Sequence, residues 1–264
     1  MARHLTPEQV ISVIADVEAY MLGDPRRKVV GDKLVSILFN STGLSLEGFA
    51  GTRIVRAVPM EKGEVLPNSL SRISYNPKPK LNRANTPERA VFYGQPVTPL
   101  GYDALFPEIP EIKVGTVLAM STWVSTVAFR LLTCGFVDCP GEVGGPRLSA
   151  SELVLKNFLH EKFREKFRCD FPHNYWITSE VAEFFYQWES PLAAPNAGIA
   201  YASVHDETVF NWAVKGDFID ANFNPLKVEI VEITNVEIKG IGNKKYKFET
   251  LATTERFENQ SICW

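Results

Sequence analysis

The sequence predicts an α+β fold, mixed sheets with flanking helices. Three observations lead there. Apolar residues recur at helical spacing over 6–21 and 149–168. Runs rich in β-branched and aromatic residues recur over 116–132, 196–214 and 225–251. No G-x-G-x-x-G follows the first strand, which disfavours a doubly wound redox domain. The chain has 264 residues, 45% of them hydrophobic, enough for one sizeable core or one domain with additions.

The elements follow in order. Thr6-Pro7-Glu8-Gln9 opens a helix: Thr6 caps, Pro7 suits the first helical position, and Gln9 completes a capping box. Val10, Ile14, Val17 and Met21 share one face, and Gly23-Asp24-Pro25 stops the helix. A second apolar segment, Leu34 to Phe39, leads into the loop Asn40 to Gly43. Residues 1–50 read as a helical extension packed on the main domain, since an independent unit of that size is marginal. Residues 52–58 form a strand. Residues 59–89, rich in Pro, Asn, Ser and Lys, form a long irregular loop, a length often tied to function. Ala90 to Tyr93 is a short strand, and Pro96, Pro99 and Pro107 keep the next stretch irregular.

Thr116 to Leu132 is one long strand or two. A Gly/Pro-rich loop follows, Cys134 to Pro146. Ser149 to Arg168 is the clearest helix, with Leu155, Phe158, Leu159, Phe163 and Phe167 forming a stripe for core packing. Thr178 is expected to cap a helix over Ser179 to Trp188. Ile199, Tyr201 and Val204 mark a buried strand. The polar elbow His205 to Thr208 turns it into a second, Val209 to Val214. Ser203 ends the first strand, where a hydroxyl either caps its own turn or meets a ligand. Beyond Pro225, two strands joined by Gly240-Ile241-Gly242-Asn243 make a terminal hairpin, and the last ten residues read as a loose tail. The chain thus divides into an extension at 1–50, a main domain at 51–220 and a C-terminal β extension at 221–264.

Charge and composition exclude several classes. A formal net charge of -3 gives no bulk attraction to nucleic acid, although Lys78 to Arg83 is a local basic run. Glu8, Asp16 and Glu18 interrupt the first apolar segment, unlike a secretory leader. No apolar run is long enough to span a bilayer, so a cytoplasmic protein with no membrane contact is expected. The four cysteines, Cys134, Cys139, Cys169 and Cys263, are expected as free thiols. The Cys134/Cys139 and Cys169/His173 spacings are loose for a structural zinc site, so no metal is expected. A nucleophile-elbow G-x-S-x-G is absent, which disfavours a serine hydrolase.

A set of polar residues remains. Arg83 offers a planar fork suited to phosphate, or is a solvated loop cation beside Lys78 and Lys80. Tyr93 offers a flat ring for stacking a heterocycle, or is an aromatic at the core edge. Glu108 offers a carboxylate for a ribose hydroxyl or a developing oxocarbenium charge; it or Glu111 is equally a surface acid. Ser203 offers a small donor and acceptor. Asn211 is a further amide or a turn residue, and His205 reads as exposed or as support for the site. Together the set suits a dinucleotide.

The order of these residues resembles the RES-domain family, named for its Arg, Glu and Ser. Thr52-Arg53-Ile54-Val55-Arg56 is similar to its opening strand. Arg83-Ala84-Asn85 matches its Arg-x-Asn loop and Phe92-Tyr93-Gly94 its following strand. Ala104-Leu105 with Glu108, the Tyr175 to Phe185 segment, and Gly198-Ile199-Ala200-Tyr201-Ala202-Ser203 with Asn211 complete the pattern. The likeness covers roughly residues 50 to 220. Asn82 stands where the family more commonly has Gly, and residues 1–50 and the C-terminal addition lie outside the likeness. The resemblance implies an ADP-ribosyltransferase-like fold of mixed sheets with flanking helices. It implies NAD+ as substrate rather than cofactor, cleaved at the nicotinamide–ribose bond by hydrolysis or phosphorolysis. It assigns the catalytic roles to Arg83, Tyr93, Glu108 and Ser203, and substrate binding to Arg56, Asn85 and Asn211. Arg83 would grip the phosphates, Tyr93 stack on nicotinamide, Glu108 orient the ribose and Ser203 hold that end. It also implies a helical antitoxin as partner, since many members are toxins of toxin–antitoxin pairs. A non-catalytic nucleotide-binding module and an ADP-ribosyltransferase are the alternatives, and a homodimer is the default for a soluble oligomer.

Overall fold

A computed structural model of the chain describes residues 5–19, 27–38, 45–61, 63–97, 105–106, 109, 112–136, 148–165, 175–189, 194–204, 209–239 and 243–264. The architecture is mixed α+β: a large mixed sheet with six helices among the described residues. The nine strands of that sheet are β1 (Ser45–Gly48), β2 (Arg53–Pro59), β3 (Val91–Pro96), β4 (Val117–Ser125), β5 (Phe129–Cys134), β6 (Asn196–Ala202), β7 (Phe210–Lys215), β8 (Phe223–Lys239) and β9 (Asn243–Thr254). Their order across the sheet is β1-β5-β6-β7-β3-β2-β4-β8-β9. The β5–β6 pair is parallel, with Leu132 beside Ile199, and the other pairs are antiparallel.

The sheet consists of two halves joined by a narrow seam. β2 pairs with β4 over its whole length, from Arg53↔Val124 to Pro59↔Leu118. It pairs with β3 only at Ile54↔Pro96 and Val55↔Gln95. On one side the Val97 N–H continues the contact, donating to the Arg53 carbonyl at 3.0 Å; on the other, towards Arg56, the strands part. Gly94 stands at the parting point because a Cβ there would lie 2.7 Å from the Val55 carbonyl oxygen.

Helices α1 (Pro7–Glu18), α2 (Arg27–Leu38), α4 (Ala150–Arg164) and α5 (Trp176–Tyr186) cover one face of the five-stranded half, burying Leu155, Phe163, Val181 and Phe185 against Leu132, Ile199, Tyr201 and Ala213. The opposite face buries Phe92, Trp123, Phe129, Trp212 and Val214 with the short helices α3 (Leu70–Ile73) and α6 (Gly216–Asn222). The alternation is visible within β3, where Val91 and Tyr93 face the helices and Phe92 faces the other core. A third core lies over the four-stranded half, around Phe106, Leu118, Met120 and Ile233. No described helix is long and apolar enough to cross a membrane.

Local signals set the helix starts. The capping boxes Thr6/Gln9 and Ser149/Glu152 both form, each side chain bonding the other's backbone N–H. Thr178 does not cap: α5 begins at Trp176, and the buried Thr178 hydroxyl instead donates to the Tyr175 carbonyl inside the first turn. The segment 116–132 is two strands, β4 and β5. The 59–89 loop contains α3, and residues 45–48, counted with the N-terminal extension, supply the edge strand β1 against β5. The expected loose tail is a hairpin, β10 (Arg256–Glu258) with β11 (Ser261–Cys263). Ile262 is buried in the second core, and the Trp264 indole donates to the Pro67 carbonyl at 2.7 Å.

Candidate functional site

The Arg83 turn is built tightly. Asn82 and Asn85 exchange backbone hydrogen bonds, so Arg83 and Ala84 form the tip of a small reversal. Two tyrosines clamp its apex from either side. Ala84 N–H donates to the Tyr93 hydroxyl at 2.9 Å, and the Tyr186 hydroxyl donates to the Ala84 carbonyl at 2.7 Å. The Tyr93 hydroxyl in turn donates to Asn85 Oδ1 at 2.7 Å, while Asn85 Nδ2 donates to the Lys80 carbonyl. Burial pushes the Tyr93 hydroxyl well above the usual tyrosine range, despite the opposing Ala84 N–H and the nearby Arg83 and Arg56. It therefore stays a phenol donor rather than a phenolate. Its sequence-derived role was ring stacking. The structure adds a task that the sequence did not show, holding the Arg83 turn on β3.

Arg83 itself is 9% exposed. Its guanidinium lies 5.4 Å from the centre of the Tyr175 ring, and Nη2 donates to the Glu165 carbonyl at 2.9 Å. Glu165 caps the C-terminal end of α4, where a cation is favoured by the helix dipole. The side chain is thus held in one direction by the fold itself.

Ser203 follows β6 directly, is 1% exposed, and donates its backbone N–H to the Val209 carbonyl. Gly198 is the third residue of the same strand, and a Cβ there would overlap the Ala213 carbonyl, which explains the glycine. Asn211 lies in β7 opposite Tyr201, so it is a strand residue and not a turn residue. It is 6% exposed; its Oδ1 accepts from Gln95 Nε2 at 2.8 Å, and its Nδ2 is buried with no hydrogen-bond partner among the described residues.

Arg56 occupies the parting of β2 and β3. Its Nη1 donates to the Tyr93 carbonyl at 2.9 Å and its guanidinium lies 5.5 Å from the Phe92 ring centre. Burial pushes its pKa down to about 10, partly offset by Tyr93. That is still a cation at neutral pH, held at a cost.

Of the seven expected residues, Asn85 and Tyr93 bond each other at the Arg83 turn, Arg56 reaches Tyr93 only through its backbone carbonyl while its guanidinium lies against Phe92 in the opposite core, and Ser203 and Asn211 stand on or beside the adjoining strands β6 and β7. The seventh, Glu108, lies outside the described residues, as do Glu111, His205, Cys139, Cys169 and His173. Among the described residues no three His, Cys, Asp or Glu side chains converge as a metal site would require, and Cys134 and Cys263 are free thiols. The pattern missed Tyr186, Gln95, Arg164 and the Glu165 carbonyl. The only trace of them in the sequence was a basic residue in the last turn of the clearest helix. Comparison with protein-family models, with curated proteins and with solved structures finds no match for this chain.

Proposed function

We propose that the chain is an NAD+-degrading enzyme of the RES type, cleaving the nicotinamide–ribose bond at the cluster around Arg83. One observation carries the reading. The Arg-x-Asn turn at Arg83 and Asn85 is bonded to Tyr93 of β3, and β3 pairs with β7, which carries Asn211 and pairs with β6, the strand that Ser203 follows, so the expected residues fall on neighbouring strands. Support also comes from the narrow seam, which suits the split sheet of an ADP-ribosyltransferase-like fold.

In this reading the Arg83 fork binds the diphosphate, and the ribose is assigned to the carboxylate of Glu108 by the resemblance alone. The C1′–N1 bond breaks heterolytically and its electron pair leaves with nicotinamide, whose pyridinium becomes neutral. Water attacks the electron-deficient C1′ and loses a proton, giving ADP-ribose; phosphate in its place gives the 1″-phosphate. The chain's contribution is position and charge, set before the reaction. A helical antitoxin that covers this region is the partner the same reading implies.

One observation favours the rival, a non-catalytic nucleotide-binding module of the same fold. Arg83 and Ser203 are buried, and the Tyr93 hydroxyl is committed to the turn, so these residues also serve the fold itself. Incubating the purified chain with NAD+, with and without phosphate, beside an Arg83→Ala variant separates the two. Nicotinamide release that falls at least about a hundredfold in a folded Arg83→Ala supports the enzyme. NAD+ binding without turnover means the module, and the absence of both overturns the reading.

A further inference from the structure

The C-terminal turn of α4 touches both ends of the cluster. Arg164, the last residue of the helix, donates through Nε to the Ser203 carbonyl at 3.1 Å. Its Nη1 meets His160 Nε2 at 3.3 Å, and His160 Nδ1 meets the Gly135 carbonyl at 3.0 Å. A carbonyl at Nδ1 and a guanidinium donor at Nε2 together require neutral imidazole with its proton on Nδ1. Arg164 is thereby aimed by the residue one turn back on its own helix. Glu165, the next residue, gives its carbonyl to Arg83. Below the turn, Gly135 has φ +74 and no room for a Cβ, which would overlap the His160 backbone, so the end of β5 is seated directly on α4.

We propose that this turn is the joint that fixes the Ser203 strand end relative to the Arg83 turn, with Arg164 as a positioning residue aimed by His160. A charged donor on a backbone carbonyl makes a strong hydrogen bond, and the planar fork of arginine can hold two acceptors at a fixed angle. A lysine ammonium is a point charge on a flexible stem and does not fix the angle between its acceptors. The kinetic part of this inference rests on the NAD+ reading; the structural part rests on the geometry alone.

Hydrogen exchange of the full chain tests it, comparing the native protein with Arg164→Ala and Arg164→Lys. The amides of Ser203, Ala84 and Asn85 exchange on the order of tenfold faster in both variants, while β8, paired on both sides, is unchanged. Protection retained at those three amides overturns the joint. So does faster exchange that spreads into β8, because Arg164 is then a general stability residue. In NAD+ cleavage both variants lose kcat with KM little changed, and millimolar ethylguanidinium restores part of the Arg164→Ala loss. An unchanged kcat alongside faster exchange overturns the positioning role. A native protein that does not cleave NAD+ removes the functional reading, and the exchange pattern then decides the joint by itself.

Discussion

Arg56 shows most clearly at the residue scale what the cluster costs. Taking a guanidinium out of water is expensive, and the fall of its pKa to about 10 corresponds to a penalty on the order of 3 kcal/mol. The hydrogen bond to the Tyr93 carbonyl and the contact with Phe92 offset part of that. Replacing a buried charge with an apolar chain of similar length is often nearly neutral for stability. Arg56→Met is therefore expected to shift the melting temperature little while weakening NAD+ binding at least about tenfold. Calorimetry and titration on the same preparation check both halves. A large loss of stability with binding intact would make Arg56 a structural pin. The residue was visible in the sequence as the end of the first core strand, but its burial was not. That burial depends on where β2 and β3 part, a property of two strands at once.

At the scale of elements, what was legible is what is local. Thr6 with Gln9 and Ser149 with Glu152 are complete signals within four residues, and both helices start where those signals place them. Thr178 is a capping residue by type alone, with Val181 where a capping box needs Glu or Gln, and α5 begins ahead of it at Trp176. The packing of α5 on the Arg83 loop was equally hidden. Arg89, in the loop, forms a two-pronged ion pair with Glu183 on α5 at 2.7 and 2.6 Å. Burial works against ionising Glu183, but the hydrogen bond from Arg89, helped by Gln187, outweighs it and holds the carboxyl below its ordinary range. A carboxylate with a depressed folded pKa contributes stability that is complete above its unfolded pKa and is lost as pH falls through the folded one. Glu183→Gln is expected to cost about 1 kcal/mol at pH 7. In a series of unfolding curves, the gap from the native protein closes below about pH 4. A gap that stays constant with pH would show that the pair acts by shape and not by charge.

The whole molecule is where the sequence said least. The tail was misread because its anchor, the Trp264–Pro67 bond, joins residues 197 positions apart. The seven expected site residues came from an ordered pattern; the contacts that Tyr186, Gln95 and Arg164 make with Ala84, Asn211 and Ser203 carry no local signal. The seam between the half-sheets has a consequence in time as well as space. β8 and β9 are neighbours in the chain and close through one short connection, whereas the seam joins Val55 to Gln95 across a long loop and offers only two residue pairs in return. Closing a long loop for so few backbone pairs is slow to repay its entropy, so the hairpin forms early, and the seam late together with the core that spans it, where Phe92 meets Trp123. In stopped-flow refolding, Val55→Ala is expected to leave the folding rate nearly unchanged and to raise the unfolding rate several-fold. The two halves would then be assembled separately and locked last, at the point where Arg56 and Tyr93 meet.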